Sequence, residues 1–123
     1  MSTVLLVAAG GAAGAVLRYL IDRGIQQRGD GTFPWGTLAV NVLGCLVAAF
    51  IAGIVAGGAS APALYALVVV GLCGSLTTFS TFGYETVHLF ADRARLRALA
   101  NVVATLIAGF LAVATGLAVA TLF

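Results

Sequence analysis

Charged residues are scarce in this sequence. It contains six Arg, no Lys and four acidic residues, so charged residues make up 8% of the chain, against roughly a quarter in ordinary globular domains. Hydrophobic residues make up 62%. A soluble domain of 123 residues cannot cover its surface with so few charges, which excludes a soluble enzyme and indicates an integral membrane protein in the lipid bilayer. The net charge of +2 and the scattered Arg residues also exclude nucleic acid as a partner.

Cysteine and histidine are nearly absent as well. Cys45 and Cys73 each lie in an apolar run, and neither has another Cys or a His at metal-ligand spacing. Disulfide and zinc sites are therefore not expected, and each Cys is predicted to act as a small hydrophobic residue. His88 is expected to be an interfacial side chain. Because no nucleophile and base are paired, the chain is not expected to be an enzyme.

Long apolar runs fill most of the chain. A bilayer core about 30 Å thick needs about 20 apolar residues per helix, and the sequence predicts a single four-span membrane domain over residues 1–123. The first charge, Arg18, follows most of the first run, so that run is predicted to be a retained helix and not a signal peptide. The predicted spans cover residues 4–25, Trp35–Ala56, residues 63–90 and residues 99–122.

The Arg residues are unequally distributed between the two predicted membrane faces. All six belong to or adjoin the loops after the first and third spans, around residues 28–31 and 92–97. The turn at Pro62 and both termini lie on the other face and carry none. Taken alone, the positive-inside rule predicts that both termini lie outside the cytoplasm.

Small residues recur at helical spacing in three spans. Such spacing lets helix backbones approach closely in lipid, and core packing is the favoured interpretation. The pairs are Gly10 and Gly14, Gly53 and Gly57, and Gly109 and Gly116.

The third span contains an unusual polar stretch. Residues 71–82 (GLCGSLTTFSTF) hold two glycines and five hydroxyl residues, all five hydroxyls falling within residues 75–81. Ser and Thr bend helices by bonding back to the preceding turn, and Gly makes a break less costly, so a break is predicted here. Irregular backbone at membrane depth is tolerated where it lines a cavity, and its free carbonyls can coordinate a cation. The alternative is a kink whose hydroxyls are satisfied internally.

The other embedded polar group is Asn41, one helical turn beyond Thr37 and predicted on the same face. It fits either an interhelical hydrogen bond or a pore lining. No acidic residue or Lys occupies the centre of any span, whereas proton-coupled transport requires a titratable residue in the path. Neutral amide and hydroxyl donors and the positive edges of aromatic rings suit a small anion. Phe79 and Phe82 are predicted to share a face.

Three stretches together resemble the Fluc family of fluoride channels, also called CrcB. They are residues 10–19 (GGAAGAVLRY), residues 36–44 (GTLAVNVLG) and residues 71–82, followed by Glu85. The resemblance implies an antiparallel homodimer in the cell membrane, with two fluoride pathways at its interface that export fluoride passively. It also implies a structural sodium ion at the dimer centre. The implied site residues are main-chain carbonyls of Gly74 and Thr77 for sodium, Asn41, Phe79, Phe82, Ser80 and Thr81 for the pore, and Arg18 and Glu85 for a vestibule.

Several alternatives remain open. Arg18 could instead pair with Asp22 one turn on, and Glu85 could simply be solvated. The fourth span departs from the family pattern, because it has Thr115 but no Ser four residues earlier; Thr105 is a possible substitute. A small multidrug or guanidinium exporter would need a first-span carboxylate, which residues 4–17 lack. A non-transporting membrane subunit would leave the hydroxyl run unexplained.

Overall fold

The computed structural model describes residues 2–29 and 31–123. In these residues the secondary structure is all helical, and four helical spans are long and apolar enough to cross a membrane. The predicted all-α class is confirmed, and the second span has the predicted bounds. The spans are Thr3–Arg28 (α1), Trp35–Ala56 (α2), Pro62–Ala91 and Arg95–Ala120 (α6).

Local sequence determines where the first two spans begin and end. The hydroxyl oxygen of Ser2 accepts a hydrogen bond from the N–H of Val4 at 3.2 Å and so caps α1. After α2, Gly58 has a φ of +108°, a conformation that glycine adopts without strain. Pro62 then occupies the first position of the next helix, where its missing N–H costs no hydrogen bond.

The third span is divided into four helical pieces. They are α3 (Pro62–Leu64), a π-helix (Tyr65–Cys73), α4 (Gly74–Leu76) and α5 (Ser80–Ala91). The non-helical residues 77–79 separate α4 from α5. The predicted break is therefore confirmed. The π-helix was not predicted, because its sequence is as apolar as that of an ordinary membrane helix.

The fourth span begins earlier than the sequence suggested. Residues 92–97 were expected to form a loop, but α6 already begins at Arg95. The reason is the tight end of α5, where Arg93 has a φ of 64° and donates its N–H to Phe90, while Ala94 donates to Leu89. This is a Schellman motif with Arg at the position usually taken by Gly, and it reverses the chain within three residues.

The spans pack as two pairs, α1 against the π-helix and α2 against α6. At the first interface, a methyl group on Gly71 would lie 2.8 Å from the carbonyl oxygen of Val7, and Gly10 and Gly14 are buried there. At the second, a methyl group on Gly116 would lie 2.6 Å from the carbonyl oxygen of Leu46. The glycine prediction is thus confirmed for Gly10, Gly14 and Gly116, and Gly71 packs closely although it was not among the predicted pairs.

Two glycines of the predicted pairs do not pack between helices. A methyl group on Gly109 would meet no atom within 4 Å, and one on Gly57 would meet only carbonyls of its own helix. Gly57 lies past the end of α2, and Gly109 lies on an open side of α6. The prediction of close helix packing was therefore wrong for Gly57 and Gly109 within the part of the chain that the structure describes.

Candidate ion pathway

The break in the third span begins one turn later than expected. Gly74 was predicted to belong to it, but its backbone is helical, with φ −62° and ψ −31°. Thr77 is the first extended residue, with ψ 153°. Both the N–H and the hydroxyl of Thr77 donate to the carbonyl of Cys73, at 3.1 and 2.9 Å. These two bonds close the last turn and keep Gly74 in the helix.

The break leaves several carbonyl groups without their helical hydrogen bonds, and those of Gly74 and Thr77 are two of them. In a continuous helix the carbonyl of Gly74 would accept from the N–H of Thr78, but that N–H donates to the side chain of Asn41 at 2.7 Å. The N–H of Thr81, which would serve Thr77, donates to the hydroxyl of Thr78 at 3.1 Å. Among the described residues, no hydrogen bond reaches either carbonyl oxygen. Both oxygens are free to bind a ligand.

Asn41 bridges α2 and the break. Its side-chain oxygen accepts from the N–H of Thr78 at 2.7 Å, and its nitrogen donates to the carbonyl of Thr78 at 3.0 Å. The amide therefore replaces, for the backbone N–H and carbonyl of one residue, the partners that a helix would have supplied. One N–H of the amide remains. Of the two roles considered from the sequence, the structure shows the interhelical hydrogen bond, and the pore lining stays a prediction.

Phe79 and Phe82 lie side by side, with ring centroids 6.0 Å apart and ring planes inclined by 44°. The prediction that they share a face is confirmed. They line an open groove of about 300 Å³, called here the Phe groove, together with Asn41, Thr78 and Thr105. The hydroxyl oxygen of Thr105 is buried and has no hydrogen-bond partner. The Phe groove is thus mostly apolar, with a few neutral polar groups.

A second concave site lies between α1, α2 and the break. It has a volume of about 220 Å³ and is called here the Arg18 hollow. Its polar lining is Arg18, Tyr19, Asp22, Thr37, Thr78 and Thr81. Arg18 and Asp22 face the same hollow, but no ion pair joins them in the described part of the chain.

Several predicted site residues lie apart from one another. Thr37 lines the Arg18 hollow and Asn41 the Phe groove, although one face was predicted for both. Ser80 is exposed and lines neither. Glu85 lines a third hollow of about 100 Å³ with Gln26, and one of its carboxylate oxygens is buried without a partner. Arg18 and Glu85 therefore do not share a hollow in the structure.

Two polar residues of this region, Thr78 and Asn101, were not predicted from the sequence. Thr78 belongs to the hydroxyl run but was not singled out. Asn101 is 1% exposed and donates to the hydroxyl of Thr86 at 2.9 Å, and Thr86 donates to the carbonyl of Phe82 at 2.8 Å. This chain of bonds ties α6 to the helix that carries Phe82. Asn101 could have been noticed in the sequence, because it is an amide inside the otherwise apolar run of the fourth span.

The broken segment lies on the outside of the single chain. Phe79 is 84% exposed, and Gly74, Ser80 and Thr81 are also exposed. Irregular backbone and polar side chains are not tolerated against lipid at membrane depth. The surface that carries the break therefore requires a protein cover.

The chain is similar to proteins of known name along nearly its whole length. The family described as "CrcB-like protein, Camphor Resistance (CrcB)" matches residues 5–117. A protein of Frankia casuarinae named "Fluoride-specific ion channel FluC 1" is 52% identical over 94% of each chain. Proteins with the same name from Streptomyces avermitilis and Thermobifida fusca are 50% and 49% identical, over 85% and 94% of this chain and 85% and 93% of their own. These names are those of channels, which supports the expectation of a non-enzymatic protein.

Proposed function

Because this chain belongs to the CrcB-like family, we propose that it is a fluoride-specific channel through which fluoride leaves the cytoplasm passively. The names of its relatives support the ion, and the neutral lining of the Phe groove supports the mechanism. Among the residues that the structure describes, no acidic residue lines that groove, so its described lining offers no carboxylate to exchange protons for a cation. The proposal places the protein in the cell membrane, where export reduces fluoride toxicity.

The observation that carries the proposal is the exposed break. Its hydroxyls, its free carbonyls and the ring of Phe79 lie on the surface of one chain, at the middle of a membrane span. A second copy that covers this surface would turn the open Phe groove into an enclosed path. We therefore place the pore at the interface of an antiparallel homodimer, with Asn41, Phe79, Phe82, Ser80 and Thr81 along it and Arg18 and Glu85 towards its mouths.

The ion would be held by weak, neutral contacts. The positive edges of Phe79 and Phe82, the hydroxyl of Thr105 and the remaining N–H of Asn41 can each replace a water of hydration. None carries a full positive charge that would trap the anion, which favours conduction over tight binding. Thr105 takes the place of the missing Ser in the fourth span.

A structural sodium ion is the second part of the proposal. The free carbonyls of Gly74 and Thr77 fit a hard monovalent cation, which prefers oxygen ligands. Two copies related by a twofold axis would supply four such oxygens to one buried ion. The ion would hold the dimer together and would not be transported.

Flux from liposomes that contain only this protein tests the function. Liposomes loaded with fluoride should release it when a counter-ion path is supplied, without a proton gradient or ATP. Release of chloride at a comparable rate would contradict selectivity, and no fluoride release would contradict the channel. Exchange of sodium for a large organic cation during purification should lower the melting temperature of the dimer, and an unchanged value would contradict the sodium site.

Membrane orientation tests the homodimer. The excess of Arg on one face favours a single orientation, whereas an antiparallel homodimer needs the chain to insert both ways. We expect a tag on the C-terminus to be found on both sides of the membrane. A tag found on one side only would instead favour an oppositely oriented paralogue as the partner.

A further inference from the structure

Thr78 joins the two concave sites around the break. Among residues 2–29 and 31–123, Thr78 is the one residue that lines both the Arg18 hollow and the Phe groove. The hollow holds the cationic Arg18 together with the acidic Asp22, and the groove holds Phe79 and Phe82. Thr78 therefore lies between a site with a guanidinium group and a site with aromatic rings.

The hydrogen bonds of Thr78 hold this residue in one position. Asn41 binds both its N–H and its carbonyl, at 2.7 and 3.0 Å. Its hydroxyl oxygen accepts from the N–H of Thr81 at 3.1 Å. A hydroxyl has one hydrogen to donate, and within the described residues that hydrogen has no acceptor. The backbone is therefore fixed, and one donor remains free.

We propose that Thr78 is a specificity-determining residue of the pathway, whose hydroxyl donates to fluoride as the ion moves between the Arg18 hollow and the Phe groove. The proposal rests on the proposed channel function. The neighbouring hydroxyls are less suitable: Thr81 lines only the hollow, Thr105 only the groove, and Ser80 neither.

Three substitutions separate the free hydroxyl donor of Thr78 from its cap, the hydrogen bond that its oxygen accepts from the N–H of Thr81 at the start of α5. Thr78→Ser keeps both the hydroxyl donor and the oxygen that accepts from Thr81. Thr78→Val keeps the shape and loses both. Thr78→Asp keeps an oxygen that can accept from Thr81, but it has no hydroxyl donor when ionised and repels an anion. Thr121→Val is the matched control, because the hydroxyl of Thr121 donates to the carbonyl of Ala118 at the end of α6 and lines neither site.

The readouts are fluoride efflux from liposomes and the melting temperature of the purified protein. We expect Thr78→Ser and Thr121→Val to conduct within about twofold of the parent. Thr78→Val and Thr78→Asp should lose about tenfold or more, as expected for a lost hydrogen bond to a charged group. Thr78→Asp should melt closer to the parent than Thr78→Val, because it retains the cap.

The possible failures are distinct. A parent protein that releases no fluoride contradicts the channel function itself. A conducting parent whose Val and Asp variants conduct equally well overturns the role of Thr78 alone. If Thr78→Asp conducts like the parent while Thr78→Val melts early and conducts poorly, the hydroxyl serves only as a cap, and the proposal is also overturned.

Discussion

The third span and the α2–α6 pair satisfy their backbone hydrogen bonds in different ways. In α2 and α6 the backbone is continuously helical, and small residues such as Gly116 let the two helices pack closely. The third span also packs closely, through Gly71 against α1, but its helix is interrupted at residues 77–79. There the side chain of Asn41 supplies the hydrogen bonds that the helix lacks.

The difference shows where the polar residues are needed. A continuous helix satisfies its own peptide groups, so an apolar sequence with a few glycines is sufficient in lipid. A broken helix exposes peptide groups, and leaving one buried without a partner costs about 1–3 kcal/mol. The amide and hydroxyl residues are therefore concentrated at the break. The same groups are also the ones able to contact an anion.

The largest expected effect separates the rings of the break from an aromatic ring of the continuous pair. Phe79→Ile and Phe82→Ile keep much of the apolar bulk and remove the positive ring edge. Each should reduce fluoride efflux from liposomes by about a hundredfold or more, equivalent to about 2.7 kcal/mol, while the protein still purifies in the same oligomeric state as the parent. Phe50→Ile in α2 is the control and should conduct normally. If both variants conduct fluoride at the rate of the parent, Phe79 and Phe82 serve only in packing.

The next largest effect concerns the backbone N–H and carbonyl of Thr78, which Asn41 binds. Asn41→Leu leaves the N–H and the carbonyl of Thr78 without partners, so the free energy of unfolding should fall by about 2 kcal/mol or more. Chemical denaturation in detergent measures the change. Gln27→Leu is a matched control, since Gln27 is an exposed amide at the end of α1. Equal stability of the two variants would contradict the structural role of Asn41.

Close packing should matter equally in both regions. Gly71→Ala and Gly116→Ala each place a methyl group within 3 Å of a carbonyl oxygen on the neighbouring helix. Each should therefore destabilise the protein by about 1–3 kcal/mol, measured by the same denaturation. Gly24→Ala is the control, because a methyl group there meets nothing within 4 Å. A cost at only one interface would show that the two pairs are not packed alike.

The smallest effect is expected at the end of the third span, away from the break. His88 lies 3.2 Å from Asp92, but the two side chains are 59% and 64% exposed. His88→Ala should change the free energy of unfolding by less than about 0.5 kcal/mol, as is usual for exposed pairs. A larger loss of stability would indicate that the end of α5 contributes to the core.

Much of the fold could be predicted because it depends on local properties. The bounds of α2 follow from an uncharged apolar run, and the break follows from hydroxyls and glycines within one short stretch. The adjacency of Phe79 and Phe82 follows from helical spacing after the break. The early start of α6 was missed, since it depends on a turn in which Arg93 adopts a conformation typical of Gly.

By itself, the sequence determined the membrane class, the four spans and the position of the polar break, because hydropathy and backbone propensity act over short stretches. Only the tertiary structure decided that Asn41 binds Thr78, that Gly71 and Gly116 pack while Gly109 does not, and that Thr78 lines both the Arg18 hollow and the Phe groove. These features depend on how each helix is rotated and placed against its neighbours. That placement results from contacts between residues far apart in the chain, which a local pattern does not specify.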